Sequence, residues 1–379
     1  MSNNMYDVIV IGGGQAGLAT AYHLQQAGLR YLVLDAHSRV GDTWRNRWKG
    51  LQLFTPNRYN ALPGDDSLPG KPYGLPDRMA VADYLESYVK RNQLAVASNA
   101  QVVSLRSRPA NMRCGIVHSA QEQNPTHFEI ETVDGTLRQA SNVIVATGAY
   151  RTPRIPSFAE RLAKNVKQEH SSGIQDPVTW LPMNASKVLV IGAGASGNQL
   201  SQAFANLAKA RQQNLQVILA GEDTGALPRK VFGRDIYDFL YGLHILPLRV
   251  DSLLGRVLAK ASTKGEIRVG DSVNAAAKRQ GIIRRGKLQA ISNQWYEFAR
   301  GEPIDNIDAV VFATGYNNQY PFIQIPGALT NTGNPSHALG ISPINGLYWM
   351  GLHQMRRVNS SLLGGVAQDA KEIVSRIVG

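Results

Sequence analysis

With a single cysteine, Cys114, in 379 residues, the chain can form no intrachain disulfide and lacks the CxxC or CxxxxC dithiol of a thiol-based reductase. Any redox chemistry here has to be carried by a bound cofactor. Long apolar runs are missing too. No stretch reaches the roughly 18 uninterrupted apolar residues of a membrane-spanning helix. Met1 to Asp7 is too short and polar for a signal peptide, so the expectation is a cytoplasmic protein with no integral membrane segment. Acids are sparse: 28 Asp and Glu stand against 40 Lys and Arg, giving a formal charge of +12 although only 18% of residues are charged. Such a field suits phosphate-bearing cofactors and acidic substrates. Aromatics are absent from the densest basic stretch (Lys278, Arg279, Arg284, Arg285, Lys287), where Gly281 and Gly286 bracket Ile282 and Ile283. That stretch reads as a solvated β-turn region, and no nucleic-acid partner is expected.

What is present is a repeated grammar. A content of 43% hydrophobic residues over this length is enough for two compact domains of about 100 to 200 residues each. Val8 to Ile11 is a short apolar run that fits a buried parallel strand. Gly12, Gly13 and Gly14 follow, then a helix from about Gln15 to Ala27 closing at Gly28, then the apolar strand Tyr31 to Leu34. This βαβ unit returns downstream, with strand Lys187 to Ile191, glycine turn Gly192 to Gly197, helix Asn198 to Ala210 and strand Val217 to Leu219. Two such units imply two nucleotide sites. Between them Phe128 to Val133 alternates and turns at Asp134 and Gly135. Strand Val143 to Val145 ends in Ala146, Thr147, Gly148, and a similar passage ends in Ala313, Thr314, Gly315.

Pro and Gly clusters at Arg151 to Pro156 and Tyr320 to Gly327 mark the domain edges. The expected architecture is α/β with two dinucleotide-binding Rossmann-like domains, the second inserted in the first. Residues 1–152 and 318–379 would form the first domain, and residues 153–317 the second.

The chemistry follows from the glycine spacing. Gly12 permits the tight turn, Gly14 lets the backbone approach a pyrophosphate, and Gly17 lets the helix pack closely on the strand, while the helix N-terminus offers free N–H groups to phosphate. Asp35 ends the second strand about 20 residues on, where an acid accepts hydrogen bonds from an adenosine ribose. Gly192, Gly194 and Gly197 repeat the pattern with Ser196 beside the pyrophosphate position. After Leu219 come Ala220, Gly221, Glu222 and Asp223, so an acid is placed for a ribose 2′-hydroxyl, yet Arg229, Lys230 and Arg234 follow within reach of a 2′-phosphate.

Across nearly its whole length the chain resembles the class B flavin-dependent monooxygenases, most closely the YUCCA group and its bacterial relatives. The residues carrying the resemblance are Gly12 to Gly17, Asp35 to Trp44, Leu51 to Pro63, Tyr84 to Tyr88, Ala146 to Gly148, His170 with Ser171, Gly192 to Gly197, Leu227 to Arg229, Phe312 to Tyr316, Gly346 to Tyr348, Gly364 with Gly365, and Asp369 with Ala370. The resemblance implies FAD reduced by NADPH or NADH, capture of O2 as a flavin hydroperoxide, and transfer of one oxygen atom to a small substrate, by N or S oxygenation or in Baeyer–Villiger fashion. The alternative is an NAD(P)H-dependent flavin oxidase or reductase without oxygen insertion.

Departures from the family accompany the matches. At the FxGxxxH fingerprint and the aromatic four residues on stand Lys164, Val166, His170 and Ile174, and at the family's 2′-phosphate arginine stands Gly221, followed by Glu222. The candidate cofactor-binding residues are Gly12, Gly14, Gln15, Ala16, Gly17, Asp35, Thr43, Trp44, Val103, Thr147, Gly148, Gly192, Gly194, Ser196, Gly197, Glu222, Arg229, Thr314 and Gly315. Asn57 and Asn60 lie where relatives place oxygen-activating polar groups, and His170 where they couple nicotinamide movement to the flavin. These three are the catalytic candidates, and no metal is called for. The apolar stretch Ile236 to Leu258, interrupted by Pro247, Arg249, Asp251 and Arg256, reads as helices packed on the nucleotide domain, with a tunnel lining or a membrane-surface element as alternatives.

Overall fold

The computed structural model describes residues 5–109, 125–148, 152–223, 225–261 and 268–379, so Cys114 and Arg151 lie outside the described residues. Val8 to Ile11 are buried on both faces, as a central parallel strand requires. They end β1 (Met5–Ile11), which shares a sheet with β2 (Tyr31–Leu34), β3 (Val96–Ala97), β4 (Val102–Pro109), β5 (Pro125–Thr132) and β6 (Leu137–Val145). The order is β3-β2-β1-β6-β5-β4, and strand Leu347–Trp349 joins it in parallel against β6. β1 is parallel to β2 and β6, whereas β4, β5 and β6 form an antiparallel meander. The turn from β5 to β6 follows from its residues: Gly135 takes φ +80°, and the Asp134 carboxylate accepts from Thr132 Oγ1 at 2.6 Å and from Thr136 N at 3.1 Å.

The second sheet repeats the plan. It contains β7 (Lys167–His170), β8 (Lys187–Ile191), β9 (Gln216–Ala220), β10 (Ile283–Arg285) and β11 (Ala309–Phe312), all parallel, in the order β10-β9-β8-β11-β7. Both faces are covered, which explains why its central strands are apolar beyond the first residues Lys187 and Gln216. Val188, Val190 and Leu219 pack with Phe204, while Leu189, Ile191 and Ile218 pack with Leu288, Tyr296 and Phe298. Each fully buried side chain of this size stabilises the fold by roughly 1.5–3 kcal/mol. The chain crosses between the sheets at Thr152–Pro153 and Tyr316–Asn317, and these two segments pair antiparallel.

One sequence expectation is corrected. The basic stretch is not a solvated turn: Lys278 and Arg279 end the helix Val273–Gln280, and Arg284 and Arg285 lie in edge strand β10, anchored by buried Ile282. Ile236 to Leu258 forms helices Ile236–Gly242 and the start of Leu253–Ala261, and its middle is stitched to the C-terminal region. Val250 N bonds Arg356 O at 2.9 Å, Val358 N bonds Leu248 O at 3.1 Å, and Arg249 pairs with Glu372 at 3.2 Å, so the interrupting charged residue finds its partner there. Among the described residues no helix is long and apolar enough to cross a membrane.

Candidate functional site

Both glycine turns are built by the same contacts. Gly12 N bonds Leu34 O at 2.8 Å, and Gly192 N bonds Ala220 O at 2.8 Å. Gly12 has φ +111° and Gly192 φ +109°, and a Cβ on either would strike the carbonyl of the adjoining Ala-Thr-Gly strand end, Ala146 or Ala313. Each of those alanines is fixed in turn by a 2.8 Å bond, to Ile11 O and Ile191 O. Gly17 and Gly197 back onto Gly12 and Gly192, where a side chain would collide with the turn carbonyl. Gly14 and Gly194 face open space and head α1 (Gln15–Gln26) and α2 (Ala195–Arg211), whose first N–H groups are free to meet a phosphate.

Asp35 closes the first site. Its Oδ2 accepts from Gly13 N at 2.6 Å, and its Oδ1 from His37 N at 2.8 Å and His37 Nδ1 at 3.0 Å. Burial pushes its carboxyl up, but the bonds from the His37 side chain, the His37 backbone and Gly13 outweigh burial and hold it below the usual carboxylate range. It is therefore an ionised acceptor at the end of β2. Gly13 also has to lack a side chain, since a Cβ there would lie 2.6 Å from Asp35 Oδ2.

A single cleft of about 670 Å³ runs from one turn to the other. Gly12 to Ala16, Asp35, Thr43, Trp44, Asn60, Thr147, Gly148 and Ser196 line it together with residues that sequence reasoning missed: His37, Arg47, Ser172, Gln199, Tyr316 and Ser361 to Leu363. His37, Ser172 and Tyr316 fall within or beside segments that carry the family resemblance, whereas Arg47, Gln199 and Ser361 to Leu363 come from loops and helix flanks outside them. Trp44 is set by the short helix Asp42–Arg45, where Arg45 pairs with Asp42 and Asp83, each at 3.1 Å, and with Glu86 at 2.6 Å. Thr147 Oγ1, Asn60 Oδ1 and Gln199 Oε1 are buried side-chain acceptors along this wall without a hydrogen-bond partner. Buried polar atoms are normally paired, so three along one cleft fit a polar ligand that supplies the partners. With the open Gly14 cradle and the Asp35 carboxylate, the residues present fit an adenine dinucleotide.

The two asparagines separate. Asn60 lines the cleft and anchors its amide by donating to Thr55 O at 2.8 Å. Asn57 does not line it: its Nδ2 donates to Lys71 O at 3.0 Å, and its side chain lies against Gly70 and Gly74. His170 is buried rather than a surface histidine. Its Nε2 lies 3.0 Å from Gly315 O and its Nδ1 2.7 Å from Ser172 Oγ, and Ser172 N donates to Nδ1. The proton therefore sits on Nε2, and the ring ties the end of β7 to the end of β11. Burial pushes its pKa below the ordinary imidazole value. Its ring meets the Tyr316 ring edge-on at 5.0 Å, and Arg47 Nη1 donates to the Tyr316 hydroxyl at 2.7 Å.

Three sequence assignments shift. Val103 is exposed while its neighbour Val102 lines the cleft, because successive strand side chains point to opposite faces. Arg229 is turned away from the end of β9: its Nη1 donates to Phe54 O at 2.6 Å and its Nε pairs with Asp235 at 2.7 Å. Thr314 and Gly315 present their carbonyls to Arg154 and His170, so they brace the crossing between the sheets instead of lining the cleft. Glu222 does stand at the end of β9, paired with Arg300.

Residues 9–213 match the pyridine nucleotide-disulphide oxidoreductase family. The chain is 33% identical over 375 residues to an uncharacterized CzcO-like oxidoreductase of Geobacillus kaustophilus, covering 99% of each. It is 27% identical over 350 residues to the probable indole-3-pyruvate monooxygenase YUCCA8 of Arabidopsis thaliana, covering 83% of this chain and 75% of that one. In fold it is similar to a flavin-containing monooxygenase from Stenotrophomonas maltophilia, with a TM-score of 0.73 at 24% identity, covering 99% of this chain and 98% of that one. The chain belongs to the pyridine nucleotide-disulphide oxidoreductase family, on the branch that carries the flavin-dependent monooxygenases.

Proposed function

We infer that the protein is an FAD-dependent, NAD(P)H-consuming monooxygenase that inserts one atom of O2 into a small substrate. The observation that carries this reading is the continuous cleft between two duplicated glycine turns. Gly12–Gly17 would hold a flavin dinucleotide and Gly192–Gly197 a nicotinamide dinucleotide, and the cleft reaches the second turn at Ala195 and Ser196. Residues 1–152 and 318–379 are proposed as the FAD-binding unit and residues 153–317 as the NAD(P)-binding unit.

Bound FAD supplies the redox chemistry, accepting hydride from the nicotinamide and passing electrons to O2. This chain's residues do the rest. Asp35 would accept from the adenosine ribose, and the N–H groups heading α1 and α2 would hold the two pyrophosphates. Asn60, its amide fixed on Thr55 O, offers Oδ1 to the reacting end of the cleft. Trp44, Trp48 and Leu362 line the cleft with apolar surface and exclude water. His170, neutral and bonded to Gly315 O, is a positioning residue that ties the ends of β7 and β11 together beneath Tyr316.

The test supplies NADH or NADPH and 18O-labelled O2 with a panel of amines, sulfides and ketones, and reads product mass. Labelled oxygen in one substrate class supports the reading. Coenzyme consumption that yields only hydrogen peroxide with every class replaces it with the oxidase reading.

A further inference from the structure

A 2′-phosphate grip on a nicotinamide dinucleotide belongs at the end of the second strand of its βαβ unit, which here is Gly221 and Glu222 after β9. Gly221 cannot supply it. It has φ +137°, and a Cβ there would lie 2.9 Å from Ala193 N and 3.3 Å from Ala193 Cβ. A long cationic side chain at 221 would therefore disturb both the strand end and the glycine turn. Any cation for a 2′-phosphate has to come from another element, and Arg229 is committed to Asp235 and Phe54 O.

Two arginines converge on this strand end from outside the βαβ unit. Arg284 is used structurally, its Nη2 donating to Gly221 O at 2.8 Å and its Nη1 to Leu219 O at 2.5 Å. Arg300 is different. Its backbone is fixed, since Gly286 N donates to Arg300 O at 2.9 Å and a Cβ on Gly286 would lie 2.6 Å from Arg300 N. Its side chain is 71% exposed and pairs with the Glu222 carboxylate, itself 60% exposed. Such an exposed pair is worth little and opens easily. The site thus holds one acid and one base, both unburied, at the position where the two coenzymes differ by one phosphate.

We propose that Arg300 and Glu222 form a coenzyme selector. Arg300 leaves Glu222 to bind the 2′-phosphate of NADPH, and Glu222 accepts from the 2′-hydroxyl of NADH, so the protein uses both coenzymes. This rests on the second glycine turn being the nicotinamide site, as proposed above.

The experiment titrates purified protein calorimetrically with 2′,5′-ADP and with 5′-ADP, fragments that carry the discriminating phosphate and cannot support turnover. Wild-type protein binds both. Arg300→Ala weakens 2′,5′-ADP by about tenfold, the worth of one charge-assisted contact, and leaves 5′-ADP within about twofold. Arg300→Lys recovers part of the loss. Glu222→Gln tightens 2′,5′-ADP and weakens 5′-ADP, because it removes a like charge and frees Arg300. Equal weakening of both fragments by Arg300→Ala, or no change in 2′,5′-ADP, overturns the selector while leaving the second site in place. Wild-type protein that binds neither fragment overturns the nicotinamide site itself, and the selector with it.

Discussion

Asp35 carries two tasks through one carboxylate, since it orders the first glycine turn through Gly13 and stands where a ribose would be met. Asp35→Ala leaves the Gly13 N–H without its partner, which costs about 1–3 kcal/mol, and removes the ribose acceptor as well. FAD retention after gel filtration is expected to fall at least tenfold; unchanged stoichiometry would show that the carboxylate is only structural. The two asparagines give a contrast. Asn57→Ala is expected to lower stability by about 1 kcal/mol through loss of the bond to Lys71 O. Asn60→Ala is expected to alter the yield of oxygenated product against hydrogen peroxide, with a smaller change in melting temperature. Identical behaviour of the two variants would remove the distinction. Burial holds His170, His337 and His353 below the ordinary imidazole value. Unfolding therefore takes up protons below about pH 6.5, so this contribution to stability is complete above that pH and fades as pH falls. Thermal melts between pH 7.5 and 5.5 check this: His170→Gln should flatten the slope, and an unchanged slope would show that His170 does not contribute to it.

At the scale of elements, the C-terminal helix Val366–Val378 is tied to the cleft through the loop that precedes it. Asp369 is fully buried and bonds Arg357 Nη1 at 2.5 Å and Ser360 Oγ at 2.6 Å, while Glu372 takes Arg356 at 3.0 Å and Arg249 at 3.2 Å. Ser360 Oγ in turn accepts from Arg356 N and Arg357 N, so the cluster fixes the loop that carries Ser361 to Leu363 into the cleft. Removing one partner of a buried ion pair costs about 3–5 kcal/mol. Asp369→Ala is thus expected to melt markedly lower and to hold FAD poorly, although residue 369 does not line the cleft; loss of stability with full FAD retention would detach the cluster from the site. The βαβ units were legible because strand, glycine turn and helix are local signals. β8 coincides with the sequence reading, and the first strands and helices agree to within a few residues. The cleft wall was not legible, because Ser172, Gln199 and Ser361 to Leu363 arrive from loops and helix flanks far apart in the chain. Arg229 illustrates the limit: sequence proximity to β9 placed it near the phosphate, but Asp235 and Phe54 O claim its guanidinium.

For the whole molecule, duplication explains the arrangement. Two sheets carry the same glycine turn backed by the same Ala-Thr-Gly strand end, and the paired crossing segments Thr152–Pro153 and Tyr316–Asn317 join them. One cleft then spans both turns without a thiol relay, consistent with a chain that has a single cysteine. The central claim is that this cleft brings a flavin and a nicotinamide together. The most direct measurement is the visible spectrum of the purified protein, recorded anaerobically before and after adding NADH or NADPH. The account predicts an oxidised-flavin spectrum at about one FAD per chain, bleached by either coenzyme and restored by air. Protein that stays colourless after reconstitution with FAD, or a bound flavin that neither coenzyme bleaches, would contradict it.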